Sequence, residues 1–222
     1  MSVPEPFGSD AEYLDALWAL FSTRARRLAL ARQRRQADDD AASEWPRRQG
    51  RRHRPDDEDD DLERLAMLTA REERQASDIE GRLRAHRADP KARRLGLDRL
   101  AMAHDLGEQE RNVLALATCF ALSEDLAEFV CADLGTGFSG NGSVEFYSRF
   151  LGCDSTEDRV RIRRIFSPSA PLVKAGLITL DRMRNESLEP EDLLWCRPRI
   201  TQSAFDTIVG AVPGLALVEV QE

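Results

Sequence analysis

The chain has 222 residues, of which 41% are hydrophobic and 32% charged, and it carries a net charge of −8. This length and composition predict a folded unit of full size with additional chain, and they exclude a wholly disordered protein. No window of about 18 uncharged apolar residues occurs, and residues 1–10 hold two acids and no basic group. We therefore expect neither a membrane span nor a signal peptide, and a cytoplasmic location.

Charge is distributed unevenly along the chain. Residues 1–100 contain 21 basic and 21 acidic residues, whereas residues 101–222 contain 11 basic and 19 acidic residues. An acidic folded part repels phosphate backbones at long range. Binding to nucleic acid would therefore require a locally basic face.

The first predicted element is a long amphipathic helix that begins at Asp10, a good N-cap residue, and continues to about Arg35. Its apolar residues recur at helical spacing: Tyr13, Leu14, Leu17, Trp18, Leu20 and Phe21. This stripe has two interpretations. It is either an exposed edge that docks a partner, or a core face that packs against Leu62, Leu65 and Leu68.

Residues 38–61 have no apolar periodicity, and a basic run at 47–54 is followed by an acidic run at 56–61. Such a segment cannot bury enough apolar surface to order itself, so we interpret it as a flexible charged linker. Helical periodicity returns at Leu62 and ends near Pro90. Two long helices joined by a polar loop predict an antiparallel hairpin over residues 1–90.

Shorter elements follow. Helices are predicted at 97–104, 108–121, 123–130, 159–166 and 169–174, and another that begins at Ser143 or Asn141 and ends at 151. The helix at 159–166 follows a capping box at Ser155, and the last one is stopped by Gly176. Residues 177–180 and 193–196 are predicted strands around a charged loop, and 201–209 a closing helix.

Several small helices followed by a hairpin are typical of a winged helix. The predicted fold is thus mainly α: an N-terminal helical hairpin at 1–90, a winged-helix-like domain with a small β-hairpin wing at 91–210, and a C-terminal tail at 211–222.

Two motifs that could indicate a nucleotide site lack the neighbouring residues or elements that such a site requires. Residues 135–140 fit GxGxxG, but a predicted helix precedes them where a dinucleotide site needs a strand. The only lysines, Lys91 and Lys174, are each followed by alanine, which excludes a Walker A site.

The four cysteines form no CxxC pair, and we expect Cys119 and Cys131 to be small buried apolar groups. The three histidines have no nucleophile setting, and His104 is interpreted as a packing residue. We predict no catalytic, cofactor or metal site, and a protein that is not an enzyme.

One helix has the charge to bind a macromolecule. It carries Arg159, Arg161, Arg163 and Arg164, alternating with the apolar Val160, Ile162, Ile165 and Phe166. On a winged helix such a surface could contact DNA phosphates. The acids at its head, Glu157 and Asp158, oppose that use. Three interpretations of these arginines stay open: they are solvated or paired within the protein, they bind a protein partner, or they bind nucleic acid.

Three segments carry a longer pattern: residues 79–83, residues 97–101 leading into 106–117, and residues 166–180, where Pro168, Leu172 and Gly176 precede the first strand. This pattern resembles the region ahead of the ATPase module in a group of bacterial AAA ATPases. Residues 200–210 resemble the helix that precedes the ATPase in that group. The turn at Leu106, Gly107 and Glu108 departs modestly from the family's form.

The resemblance implies a variant winged-helix domain that works with a AAA motor, which the chain itself does not contain. The predicted function is a non-enzymatic adaptor or regulatory domain that docks the AAA ATPase module and its protein substrate or assembly partner. The predicted partner surface comprises Tyr13, Leu17, Trp18, Phe21, Arg159, Arg163 and Arg164. The alternative function is a winged-helix DNA-binding regulator that uses the arginine helix.

Overall fold

The computed structural model describes residues 4–43, 55–122, 142–152, 155–181 and 192–210. These residues form eight α-helices, one 3₁₀ turn and two strands. The helices are α1 (Asp10–Ser43), α2 (Pro55–Ala88), α3 (Gly96–Ala103), α4 (Glu108–Leu122), α5 (Val144–Leu151), α6 (Thr156–Arg164), α7 (Pro171–Lys174) and α8 (Gln202–Val209). The strands are β1 (Ile178–Asp181) and β2 (Arg197–Ile200), and the 3₁₀ turn is Asp192–Trp195.

Helices α1 and α2 pack side by side as the predicted antiparallel hairpin. The start of α1 lies beside the end of α2, where Arg82 pairs with Glu12. Further along, Glu72 of α2 accepts hydrogen bonds from both Arg24 and Arg27 of α1, each at 2.7 Å. Glu72 is buried and the two arginines are partly exposed, so this bridge links α1 and α2 across their interface.

The predicted charged linker is wrong at both of its ends. Residues 38–43 continue α1, and residues 55–61 form the beginning of α2. The acidic run at 56–61 lies near the N-terminus of α2, where the helix dipole favours negative charge. Residues 38–43 extend a helix that is already formed, so they do not carry the cost of helix nucleation. Residues 44–54 lie outside the described residues.

The N-terminal cap of α1 also differs from the prediction. Ser9 Oγ accepts the backbone N–H of Glu12, which makes Ser9 the capping side chain. The carboxylate of Asp10 instead accepts the N–H of Gly96 at the start of α3, a contact that spans 86 positions of the chain. Asp10 therefore joins α1 to α3 as well as opening its own helix.

The winged-helix part is built on aromatic packing. Phe146 and Phe150 of α5 stack with their ring centroids 5.4 Å apart, and Phe166, which follows α6, meets Tyr147 edge-on. Phe21 of α1 contacts Phe150 at 6.0 Å. One hydrophobic cluster thus contains residues from both sides of position 90. The division into two units at that position stays a prediction.

The two strands pair antiparallel, with Ile178 opposite Ile200 and Asp181 opposite Arg197. The first strand agrees with the prediction to one residue. The second strand was predicted at 193–196, but those residues form most of the 3₁₀ turn and the residue after it. Cys196 is buried and its carbonyl accepts the N–H of Val144 at 2.9 Å, so this segment closes over α5 before the strand begins.

Local signals placed most of the other elements correctly. Ser143 and Ser155 cap α5 and α6, and Thr201 caps α8. Gly176 has a φ of 64°, as expected of a glycine that ends a helix. The predicted helix at 123–130 and the glycine motif at 135–140 lie outside the described residues. None of the described helices has the length and apolar character to cross a bilayer.

Candidate interaction surfaces

The prediction that the apolar stripe of α1 is an exposed docking edge is wrong. Tyr13, Leu17 and Phe21 are each 4% exposed or less, and Trp18 is half-buried against the same core. The alternative packing against Leu62, Leu65 and Leu68 is wrong as well. In the antiparallel hairpin this part of α1 lies opposite Ile79 and Leu83, and it also packs on α4.

The arginine helix α6 presents part of its charge to solvent. Ile162 is buried beneath it, whereas Arg159 and Arg164 are exposed and have no ion pair among the described residues. Arg161 lies 3.4 Å from Glu157 and 3.8 Å from Asp158 on its own helix. Part of the helix charge is therefore neutralised locally, and Arg163 is half-buried.

The apolar side of α6 is narrower than predicted. Ile162, Ile165 and Phe166 are buried, but Val160 is 45% exposed and lies beside the arginines on the outer surface. This surface thus combines charge with one apolar side chain.

The helix that directly precedes β1 is a single turn of four residues, Pro171–Lys174. In DNA-binding helix-turn-helix proteins, the recognition helix presents several side chains along the major groove. A four-residue turn is only about 6 Å long, and Leu172 points into the core. On the adjoining wing, Arg199 is paired with Asp181.

An ion-pair network centred on the buried Asp98 connects three helices near the end of the hairpin. Asp98 of α3 is 6% exposed and accepts two hydrogen bonds from Arg87 of α2, at 2.7 and 2.8 Å. Arg111 of α4 adds a third, at 3.0 Å. Burial opposes ionisation of Asp98, but the hydrogen bonds from Arg87 and the charge of Arg111 outweigh it and hold the pKa of this carboxyl below its ordinary value.

The buried His86 ties two irregular segments to α2. Its Nδ1 lies 2.9 Å from the carbonyl oxygen of Phe7, and its Nε2 lies 2.9 Å from the carbonyl oxygen of Arg93. Both contacts are to backbone, which identifies His86 as a structural residue. His104 is half-buried, consistent with the packing interpretation.

A groove of about 670 Å³ runs along the hairpin beside the first turn of α4. Apolar side chains of α1 and α2 line its floor: Tyr13, Leu17, Leu20, Ile79 and Leu83. The small residues Ala76 and Ser77 open it in the middle. The groove is therefore a concavity of mixed character, with apolar floor residues that are each 8% exposed or less and a rim of charged side chains from α1, α2 and α4.

Metal-ligating groups are not clustered in the part of the chain that the structure describes. No cluster of three His, Cys, Asp or Glu side chains able to hold a metal occurs there. Cys119 is buried, as predicted, and burial raises the pKa of its thiol to about 12. Cys131 and Cys153 lie outside the described residues.

A comparison with known families identifies the family of this chain. A family model described as a winged helix domain, variant, matches residues 2–212. The chain belongs to this family. No curated protein and no solved structure shows significant similarity to it.

The winged helix domain, variant, thus includes the hairpin as well as the wing, since the match begins ahead of α1 and continues through α8. Sequence reasoning missed Asp98, His86 and the groove. Asp98 lies within the segment 97–101 of the longer pattern, but nothing nearby in the sequence marks it as buried. The small pair Ala76 and Ser77 within a charged helix was the one local sign of a groove.

Proposed function

We propose that this winged helix domain, variant, is a non-enzymatic adaptor or regulatory domain that works through protein–protein contacts. The observation that carries the proposal is the groove on the hairpin. It is concave, with an apolar floor beneath a charged rim, and α1 and α2, its main walls, are not elements with which winged helices contact DNA. Helical grooves of this kind commonly receive a partner helix.

The elements that would contact DNA support the same choice. The turn before the wing is four residues long, and part of the arginine charge on α6 is paired within that helix. The whole chain has a net charge of −8, which opposes approach to a phosphate backbone. A protein partner has no such long-range cost.

We further propose that the partner is a AAA ATPase module, together with its protein substrate or assembly partner. The support for this step is the sequence resemblance carried by residues 79–83, by 97–101 with 106–117, and by 166–180. In the structure, residues from all three segments belong to the shared core, which fits their role as framework rather than as catalytic groups. The catalytic work would belong to the motor.

Site-specific photocrosslinking in cells of the source organism tests this function. A photoreactive amino acid at Ser77 reports on the groove, and one at Val160 reports on the arginine helix. We expect protein adducts at Ser77, with a AAA ATPase among them. Adducts that contain only nucleic acid at both positions would refute a protein-docking function.

A specific observation favours the DNA-binding alternative as a second candidate. Arg159 and Arg164 are exposed with no ion pair in the described part of the chain, on a fold type that often binds DNA. Titrating random duplex DNA at several salt concentrations tests it. A steep fall of log K with log salt that flattens in an Arg159→Ala, Arg164→Ala variant would support it, and no binding at about 50 mM salt would exclude it.

A further inference from the structure

The groove on the hairpin has the dimensions of one docked helix. Its α2 wall extends from Glu73 to Arg87, and the α1 wall from Tyr13 to Arg24. At about 1.5 Å per residue, the α2 wall is about 21 Å long, the length of a helix of about 14 residues. Ala76 and Ser77 leave the space that a larger side chain would fill. A helix laid here would complete a three-helix bundle with α1 and α2.

The rim of this groove offers negative charge. Glu73 and Glu80 of α2 and Glu108 of α4 all line it and are exposed. Among the described residues, Glu73 and Glu108 have no ion pair, and Glu80 has only its own-helix partner Arg84, with both side chains 74% exposed. Such an exposed pair holds its carboxylate weakly.

The cations of the groove are already engaged. Arg24 donates to Glu72, while Arg87 and Arg111 donate to Asp98. The charges still available to a ligand at this surface are therefore carboxylates. An acidic occupant would be repelled, and a basic one would be attracted.

We infer that this groove binds an amphipathic helix of a partner protein, with an apolar stripe toward α1 and α2 and Lys or Arg residues seven positions apart along its edge. Glu73 and Glu80 are seven residues apart on one face of α2, which is about 10.5 Å along the axis. Cations at i and i+7 of a docked helix match that spacing. The inference rests on the proposed function, since it specifies the chemistry of the protein partner.

Two synthetic helices of about 16 residues test the inference by fluorescence anisotropy. They share a leucine stripe at helical spacing, and one carries lysine pairs at i and i+7 where the other carries glutamates. We expect the cationic helix to bind the full chain at least about tenfold more tightly than the anionic one, a difference of about 1.4 kcal/mol. Added salt should reduce this preference.

A charge-reversal variant, Glu73→Lys with Glu80→Lys, should bind the cationic helix at least about tenfold more weakly than wild type does. It should bind the anionic helix more tightly than wild type does. Asp78→Lys is the matched control, because Asp78 is exposed on the same helix and does not line the groove. It should leave both affinities within about twofold. Circular dichroism checks that all variants stay folded, and the recovery of binding by the anionic helix excludes simple misfolding.

Equal affinity for the two helices, or loss of binding caused by Asp78→Lys alone, would overturn the inference. The inference would also be overturned if the chain formed a dimer in sedimentation experiments and the charge-reversal variant were a monomer. The occupant of the groove would then be a second copy of the chain. If neither helix binds while Ser77 still crosslinks to a AAA ATPase, the inference fails and the proposed function stands. Adducts with nucleic acid alone would instead refute the function.

Discussion

Replacing Asp98 with asparagine is expected to destabilise the protein by removing the charge on which three helices converge. Asp98 is buried, and its two partners differ in exposure: the Arg111 side chain is 21% exposed and that of Arg87 is 49% exposed. Breaking a fully buried pair costs about 3–5 kcal/mol, and an exposed pair contributes at most about 1 kcal/mol. For this intermediate site we expect a loss of about 2–3 kcal/mol.

The pH dependence of this loss separates a charge effect from a packing effect. Because the pKa of Asp98 is lowered in the folded protein, its stabilising contribution is complete above the unfolded pKa of about 4 and is lost as the pH falls through the folded value. Wild type and Asp98→Asn should therefore differ most near pH 7 and converge under strongly acidic conditions.

Urea denaturation followed by far-ultraviolet circular dichroism at about pH 7, 5 and 3 measures both effects. At neutral pH the midpoint of thermal unfolding should fall by about 4–12 °C. Glu80→Gln is the control, since its exposed pair with Arg84 should contribute less than about 0.5 kcal/mol. A stability within about 0.5 kcal/mol of wild type, or an equal loss at every pH, would refute the assigned role of Asp98.

Two further substitutions test the packing. Phe21→Ala should lower the free energy of unfolding by about 3–5 kcal/mol, measured by urea denaturation, because Phe21 is 2% exposed and contacts Phe150; a fully stable variant would restore the docking-edge interpretation. Gly96→Ala should destabilise by at least about 2 kcal/mol in a thermal melt, because a Cβ there would lie 2.1 Å from the backbone oxygen of Thr207. An unchanged melting temperature would contradict that close approach of α3 and α8.

The groove and the buried network were not predictable because each depends on residues far apart in the chain. Asp98 lies beside Arg87 and Arg111, which belong to two other helices. The stripe on α1 was correctly identified as apolar, but its partners could not be chosen from periodicity alone. Glu72 of α2 likewise bridges two arginines of α1 that lie 45 and 48 positions away in the chain.

The second strand shows the same limit on a shorter scale. Leucines 193 and 194 have the composition of a strand, but the pairing partner decides where a strand forms. Ile178 pairs with Ile200, which moves β2 four residues along the chain and leaves the leucines half-buried in a 3₁₀ turn.

Local sequence signals were sufficient to predict the helical class, most helix ends and the winged-helix outline, because they act within a few residues: Ser155 caps α6 through the N–H of Asp158, three positions on. Tertiary contacts select which face of α1 is core and where an open groove is left. These outcomes depend on which surfaces meet, and contacts such as that between Asp10 and Gly96 join residues too distant for any local pattern to record.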